Sequence, residues 1–565
     1  MLGWSMLLGL APTSLILAGL TSLAPAWGSR PPRVWAPRWN SSRLAFWAAW
    51  AIVLFAVFDR VLFETPQGLA IGNDHNLGDL PFHLAIITAF VQGGGIPPEH
   101  PELSGVRLTY PYLVDFVAAM LVKAGASLRQ ALLMENLALG LAFVGLLYRF
   151  GLTLTRNARA ALLAPLLAFF SGGFGFLFYL RGEQPLLSGV VHLTRDYTIS
   201  WDGTLRWGNL LVTLLIPQRS LLLGAPLAVL VWILLWRGLV APAASDARRR
   251  RLMAGAGVVA GLLPLAHAHS FAVVLVVCAC LALLFCRPRE WGVFFAVALA
   301  LALPQVIWVG RGSALRATDF IGEQLGWDRG GRNPLVFWLI NAGLFLPLSC
   351  LALLVARPAR LARFTAPFFL LFVIPNLLRL SPWIWDNIKF LIHWYLGSIP
   401  IVALWVVRLF SGKGVRRLAA TAIAAMLMLA GGLDVWRMAS RQISHVLFQT
   451  EAVAFADEMT KGTPPRALIL HAPSYSSAVY LTGRRSLLGY PGHMPSQGLD
   501  AGNRDADIRR IYTGDAEAQR LLAEYGVDFV LLGPEERRDL AVNEAFWAAF
   551  PVVAERGSYR LYRVR

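Results

Sequence analysis

Residues 71–90 read IGNDHNLGDLPFHLAIITAF. Asp74, His75, Asp79 and His83 crowd into the first part, and an apolar helical pattern follows at once. Pro81 fits a first helical turn, so the pattern predicts a short helix opening at Asp79. Asp79 and His83 then stand one turn apart on one face. The helix is expected to lie along the membrane surface on Leu84, Ile87 and Phe90. The local alternative makes Asp79 an N-cap that accepts backbone N–H bonds. Capping does not account for Asp74, His75 and His83, nor for the continuation GGGIPPEHPELSGVRLTYPY, with its prolines, tyrosines and the acids Glu99 and Glu102. A loop this long between two membrane helices usually carries function.

The surrounding chain reads as an integral membrane protein. Of its 565 residues 56% are hydrophobic and 15% charged, too little polar surface for a soluble protein. The net charge of +18 is spread in short clusters between apolar runs. That is positive-inside patterning and not the single basic patch of a nucleic-acid binder. Cys278, Cys280, Cys286 and Cys350 all fall in apolar segments, which leaves no disulfide framework and no zinc spacing. The N-terminus lacks a basic flank, and Ala-Pro-Ala-Trp near residue 25 is a weak cleavage site, so a retained helix is favoured over a signal peptide.

A helix needs about 20 apolar residues to span the hydrocarbon. Such segments lie near 2–22, 44–63, 132–151, 160–180, 216–237, 291–309, 334–356, 365–381, 389–410 and 418–436. The run 253–286 holds two more, broken near Pro264 and His269, for about 12 in all. Segment 110–124 is too short and reads as interfacial or re-entrant. With it excluded, the clusters at Arg30–Arg43, Arg156 and Arg159, Arg248–Arg251, Arg287 and Arg289, Arg357–Arg363 and Lys413–Arg417 share one face, which should be cytoplasmic. Loops 64–131, 181–215, 310–333 and 381–388 face the other side, as does the tail.

The tail, 438–565, turns polar. RALILHA, VDFVLLG and PVVAERGSYRLYRV read as strands. DADIRRIYTG and DAEAQRLLAEYG read as amphipathic helices, the second closed by Gly526. The domain division is therefore 1–437, a transmembrane domain with the long loop 64–131, and 438–565, a small extracytoplasmic α/β domain. The tail has no Ser-His-Asp order or phosphate loop, and GYPGH around His493 reads as plain turn chemistry. The domain is expected to help recognise an acceptor or close a site.

A first outer loop with an aspartate, the helix GDLPFHLAIITAF, then LTYPYLVDFVAAML and many spans resembles the GT-C superfamily of membrane glycosyltransferases. That group includes the protein O-mannosyltransferases and the lipid A aminoarabinose transferases. The likeness is best in the first half; QRS and WDNIKF resemble bacterial members, and the α/β tail also occurs on relatives. It implies a mostly α, polytopic GT-C bundle in the plasma (inner) membrane that moves a sugar, a hexose or pentose, from a polyprenyl-phosphate donor to a protein, lipid or glycan acceptor, usually with inversion. It makes Asp79 the base. Many members carry an adjacent acidic pair, whereas here Leu80 follows and Asp74 is the nearest acid, which makes Asp74 the second catalytic candidate.

The chemistry supports an acid there, because a carboxylate within hydrogen-bond reach can take the proton of a weakly nucleophilic hydroxyl. The leaving polyprenyl phosphate departs as an anion and needs cationic or N–H donors. Arg219, Lys389 and Arg379 are the candidates, each with interfacial snorkelling as the alternative. His83, Glu102 and Tyr110 are candidate substrate contacts. Asp74, Asp79 and His83 have ligand chemistry suited to a divalent ion such as Mg or Mn. His267 and His269, at the break of the 253–286 hairpin, suit phosphate, a metal or a plain polar turn. Asp386 can pair locally with Lys389, and Asp196 and Asp202 lie on a loop that can shape an acceptor site. Two rival readings are a flippase or transporter of lipid-linked sugars, which would place ionisable groups in mid-membrane, and a non-catalytic cell-envelope assembly protein, which would have no need of Asp79.

Overall fold

The computed structural model describes residues 41–182, 186–240, 245–312 and 321–565. The apolar segment 2–22, with Arg30, Arg33 and Arg38, lies outside them. Among the described residues seven helices are long and apolar enough to cross a bilayer: Ser41–Phe58, Leu128–Thr155, Arg219–Leu239, Pro288–Gly310, Ala359–Leu377, Ile384–Phe410 and Val415–Ala439. An eighth is a pair, Pro334–Ala342 and Phe345–Leu354, bent by 91°. Gly343 sits in the break at φ +56°, a backbone conformation that costs glycine little.

The other expected spans are shorter helices. Segment 160–180 becomes Ala158–Phe169, because Gly172 and Gly173 then press against the backbones of Gly431 and Ile340 and the chain leaves the helix. The 253–286 hairpin breaks where expected, into Asp246–Gly261, a turn at Leu263–Ala266 and Ala268–Leu284. Segment 110–124 holds Leu113–Lys123, one short helix that does not cross.

Ile388–Phe410 is the centre of the bundle, buried along most of its length. Ile52, Leu303 and Leu354 point outward and stay exposed, as expected of helix faces that meet lipid tails rather than water. Two of the basic clusters meet at one end, where Arg156, Arg357 and Arg360 line a single pocket with Trp236 and Val240. The helices that leave this end deliver their other ends to the opposite pole, where the loop 64–131 and the tail sit.

That loop and the tail are built into each other. Phe63–Thr65 and Gly68–Ile71 form a hairpin, and Gly68–Ile71 also pairs antiparallel with His445–Gln449 of the tail. Gly68, at φ +137°, lies so close that a Cβ there would stand 2.1 Å from the Phe448 carbonyl oxygen. The tail's five-stranded sheet runs in the order Arg485–Ser486, Leu468–Leu470, Phe529–Leu532, Tyr559–Arg563, Val552–Arg556. The first three strands are parallel and the last two join antiparallel. Arg504–Thr513 and Ala518–Tyr525 are the expected helices, and Gly526 closes the second at φ +65°. Leu103 of the first loop is buried in this domain's core. The Asp79–Gln92 helix therefore does not lie on a membrane surface. Every residue from Leu80 to Phe90 is buried, and Thr88 donates to the Tyr480 carbonyl of the tail at 2.7 Å.

Candidate active site

Asp79 is the first residue of its helix, and the N-cap is Gly78, with no side-chain capping bond. The chain is set up just before it by Asn73, whose side chain accepts from the His75 N–H and donates to the Val212 carbonyl at 2.6 Å. The N-cap alternative for Asp79 is thus corrected. Freed of capping, the carboxylate stands at the positive end of the helix, where a negative charge is favoured, and faces a cavity of about 420 Å³.

Six stretches of chain supply the polar and aromatic wall of this cavity. Asp79 and Phe82 come from the buried helix, Tyr110 from the loop after it, and Gln218 and Ser220 from around the start of Arg219–Leu239. His267 and His269 lie at the hairpin break, Trp385, Asp386 and Lys389 at the start of the central helix, and Tyr490 and His493 come from the tail. Asn387 fixes the central helix: its side chain accepts from the Leu380 N–H and donates to the carbonyls of Pro375 and Leu378. Lys389 then reaches the cavity and pairs with Asp386 at 3.0 Å.

Asp79 makes no hydrogen bond or ion pair with the described residues; it only feels its neighbours electrostatically. Burial holds its pKa above the ordinary carboxylate value, opposed by His493, His83 and Lys389. A carboxyl group shifted this way in a cleft is the mark of a functional acid or base.

The structure brings together Asp79, Lys389 and Tyr110, and through His493 also Glu102, whose Oε2 accepts from His493 Nδ1 at 2.8 Å. It separates the others. Arg219 is the main correction. Its guanidinium is 1% exposed and is spent on Asp115 at 3.0 Å, Glu135 at 2.5 Å and Asn136 at 3.0 Å. Its neighbours Gln218 and Ser220 face the cavity instead. His83 lies beneath the cavity, bonded through Nδ1 to Asp115 at 2.8 Å. Arg379 sits in a two-residue strand against Gly322–Glu323 and does not line the cavity.

Asp74 belongs to a second cluster. It bonds His445 at 2.5 Å and Arg437 at 3.1 Å, and Arg437 and His75 both bond Asp196, at 2.8 and 2.7 Å. Asp74, Asp79 and His83 are therefore held in three different neighbourhoods and do not form one ligand set. Among the described residues no group of three or more His, Cys, Asp or Glu is placed to hold a metal ion. His267 caps the Ala268–Leu284 helix through the Ser270 N–H at 3.1 Å, the plain-turn alternative, while His269 lines the cavity. Asp202 accepts from Ser200 and from Thr204 in its own turn. The residue that sequence reasoning set aside is His493, in the GYPGH turn.

The sequence itself matches no protein-family model and no curated relative. The fold does have solved counterparts. It is similar to the Archaeoglobus fulgidus oligosaccharyltransferase tethered to an acceptor peptide, with a TM-score of 0.52 and 12% identity over 89% of this chain and 70% of that one. ArnT from Cupriavidus metallidurans gives 0.50 and 14% over 93% and 98%. The arabinofuranosyltransferase AftD from Mycobacteria gives 0.52 and 15% over 92% of this chain but 40% of that one. All three are GT-C glycosyltransferases, and this chain has the GT-C fold.

Proposed function

We propose that this protein is a membrane glycosyltransferase that moves a sugar from a polyprenyl-phosphate donor to an acceptor hydroxyl at the extracytoplasmic face of the plasma membrane. The observation that carries the reading is the Asp79 carboxylate, without a bonding partner among the described residues, sharing one cavity with the Lys389 ammonium. In the reaction the acceptor O–H proton passes to Asp79 as the acceptor oxygen bonds the anomeric carbon. The bond from that carbon to the phosphate oxygen breaks, and polyprenyl phosphate leaves as an anion beside Lys389. Attack opposite the leaving group inverts the centre. Tyr110 and Trp385 offer ring faces against which a sugar packs. The face follows from charge: the end holding Arg156, Arg357 and Arg360 is the one the positive-inside rule assigns to the cytoplasm. The cavity lies at the helix ends and not in mid-span, which favours transfer at the surface over a flippase route.

The test is release of prenyl phosphate by purified protein from a panel of short-chain prenyl-phosphate hexoses and pentoses, with envelope extracts as acceptor. The parental protein should release prenyl phosphate from at least one donor, and Asp79→Asn should not. Equal release by both proteins refutes the base. For the face, a reporter active only outside the cytoplasm should work when fused at Arg565; activity there of a cytoplasm-only reporter would reverse the orientation.

A further inference from the structure

His493 belongs to the tail domain, yet it lines the same cavity as Asp79. Its position is fixed from behind. Glu102 is fully buried, and its Oε2 bonds His493 Nδ1 at 2.8 Å. The Glu102 carbonyl in turn accepts the Gly489 N–H at 2.7 Å, which ties the first loop to the GYPGH turn. A carboxylate only accepts, so Nδ1 carries a proton and Nε2 is the nitrogen left for the cavity. Nε2 is indeed the atom nearest to Gly78, 3.9 Å from where a Cβ on that residue would stand, and Gly78 immediately precedes Asp79. Phe82 and Tyr490 pack against the imidazole, with ring centroids at 5.3 and 5.0 Å, and restrict its rotation.

We propose that His493 is a positioning residue for the Asp79 carboxylate, oriented by Glu102, so that the tail domain completes the active site when it docks. The proposal rests on the glycosyltransferase reading above. In electrostatic terms, burial disfavours the imidazolium, but Glu102 and then Asp79 outweigh it and hold the His493 pKa above its usual value. His493 is in turn the largest influence opposing the burial of the Asp79 charge. The other groups that bear on Asp79 are His83 and Lys389, which also favour its ionised form, and Asp386, which opposes it. His100 is the further titratable group near His493.

The test is the pH profile of prenyl phosphate release by the full-length protein in detergent, for the parent, His493→Gln and Glu102→Gln, with thermal unfolding in parallel. Without the imidazole the influence that opposes the burial of Asp79 is lost, and the pKa of the base rises. The acid limb of the His493→Gln profile should therefore move up by roughly one pH unit, about a tenfold loss on the limb, with recovery as the pH rises. Glu102→Gln, nearly isosteric, should shift the limb in the same direction but less, because the imidazole remains. Limbs that stay in place in both variants overturn the proposal. So does a loss that is equal at every pH and accompanied by lower thermal stability, since that is what domain anchoring alone produces. Release that survives in Asp79→Asn removes the glycosyltransferase base itself, an outcome distinct from unmoved limbs with an inactive Asp79→Asn.

Discussion

Asp74 and Asp79 are neighbours in sequence and opposites in structure. Asp74 sits in a chain of ion pairs: it bonds His445 and Arg437, Arg437 also bonds Asp196, and Asp196 bonds His75. Asp79 has no bonding partner among the described residues and opens onto a cavity. The first cluster pins the end of Val415–Ala439 to the first loop, as satisfied ion networks do. In the second a carboxylate is left at the disadvantage of burial, and native proteins rarely keep such a group without a use.

The sharpest way to break the contrast is Asp79→Asn. Transfer should fall by a factor on the order of 10² to 10⁴, the worth of a general base, measured as prenyl phosphate release. The unfolding temperature should not fall. If activity and thermal stability drop together, Asp79 is a structural residue and the contrast fails.

Among the cations both Arg219 and Lys389 are paired, but only Lys389, with Asp386, lines the cavity. Arg219→Ala strands Asp115 and Glu135 in the interior and should cost about 3–5 kcal/mol, read as loss of folded protein in thermal unfolding and size-exclusion chromatography. Lys389→Ala leaves Asp386 its bond from Ser381 and the open cavity, so it should cost less stability than Arg219→Ala and reduce transfer on the order of a hundredfold. A stable Arg219→Ala protein with a raised donor requirement would return that residue to the phosphate.

The pH dependence of stability separates Asp79 from Asp196 by sign. Burial pulls the Asp196 pKa up, but His75 and Arg437 overcome it and hold the group below the ordinary value. Its folded pKa is thus depressed, and its stabilisation is present above the unfolded pKa and lost as the pH falls through the folded one. Asp79 is raised, so its charged form costs stability above its folded pKa, and the cost disappears as the pH falls. At neutral pH Asp196→Asn should lower the unfolding temperature and Asp79→Asn should raise it or leave it level. Both gaps should close in acid. Differential scanning fluorimetry across the acid range reads this directly, and gaps of the same sign would contradict it.

The smallest effect belongs to Asp74→Asn. His445 is 47% exposed and Asp74 23%, so that pair is screened and worth less than about 1 kcal/mol, and Arg437 keeps its bond to Asp196 when Asp74 is neutralised. Transfer should stay near the parental rate. A loss as deep as that of Asp79→Asn would mean that the two acids act together after all.

Composition and periodicity were enough for the membrane class, the position of most helices, the broken 253–286 hairpin, the strands and Gly526 stop of the tail, and Asp79 at the head of a short helix. These are local properties: apolar length, turn chemistry and a 3.6-residue period leave direct traces in a sequence. What only the tertiary structure decided is which polar side chains meet. Arg219 turns inward while Gln218 and Ser220 reach the cavity, because successive helical residues point about 100° apart and the rotation of the helix is set by Asp115, Glu135 and Asn136. Asp74 is neutralised by Arg437, 363 residues away. Glu102 positions His493 across 391 residues. No local pattern encodes such a pairing. It exists only once the tail has folded onto the first loop and removed both from water.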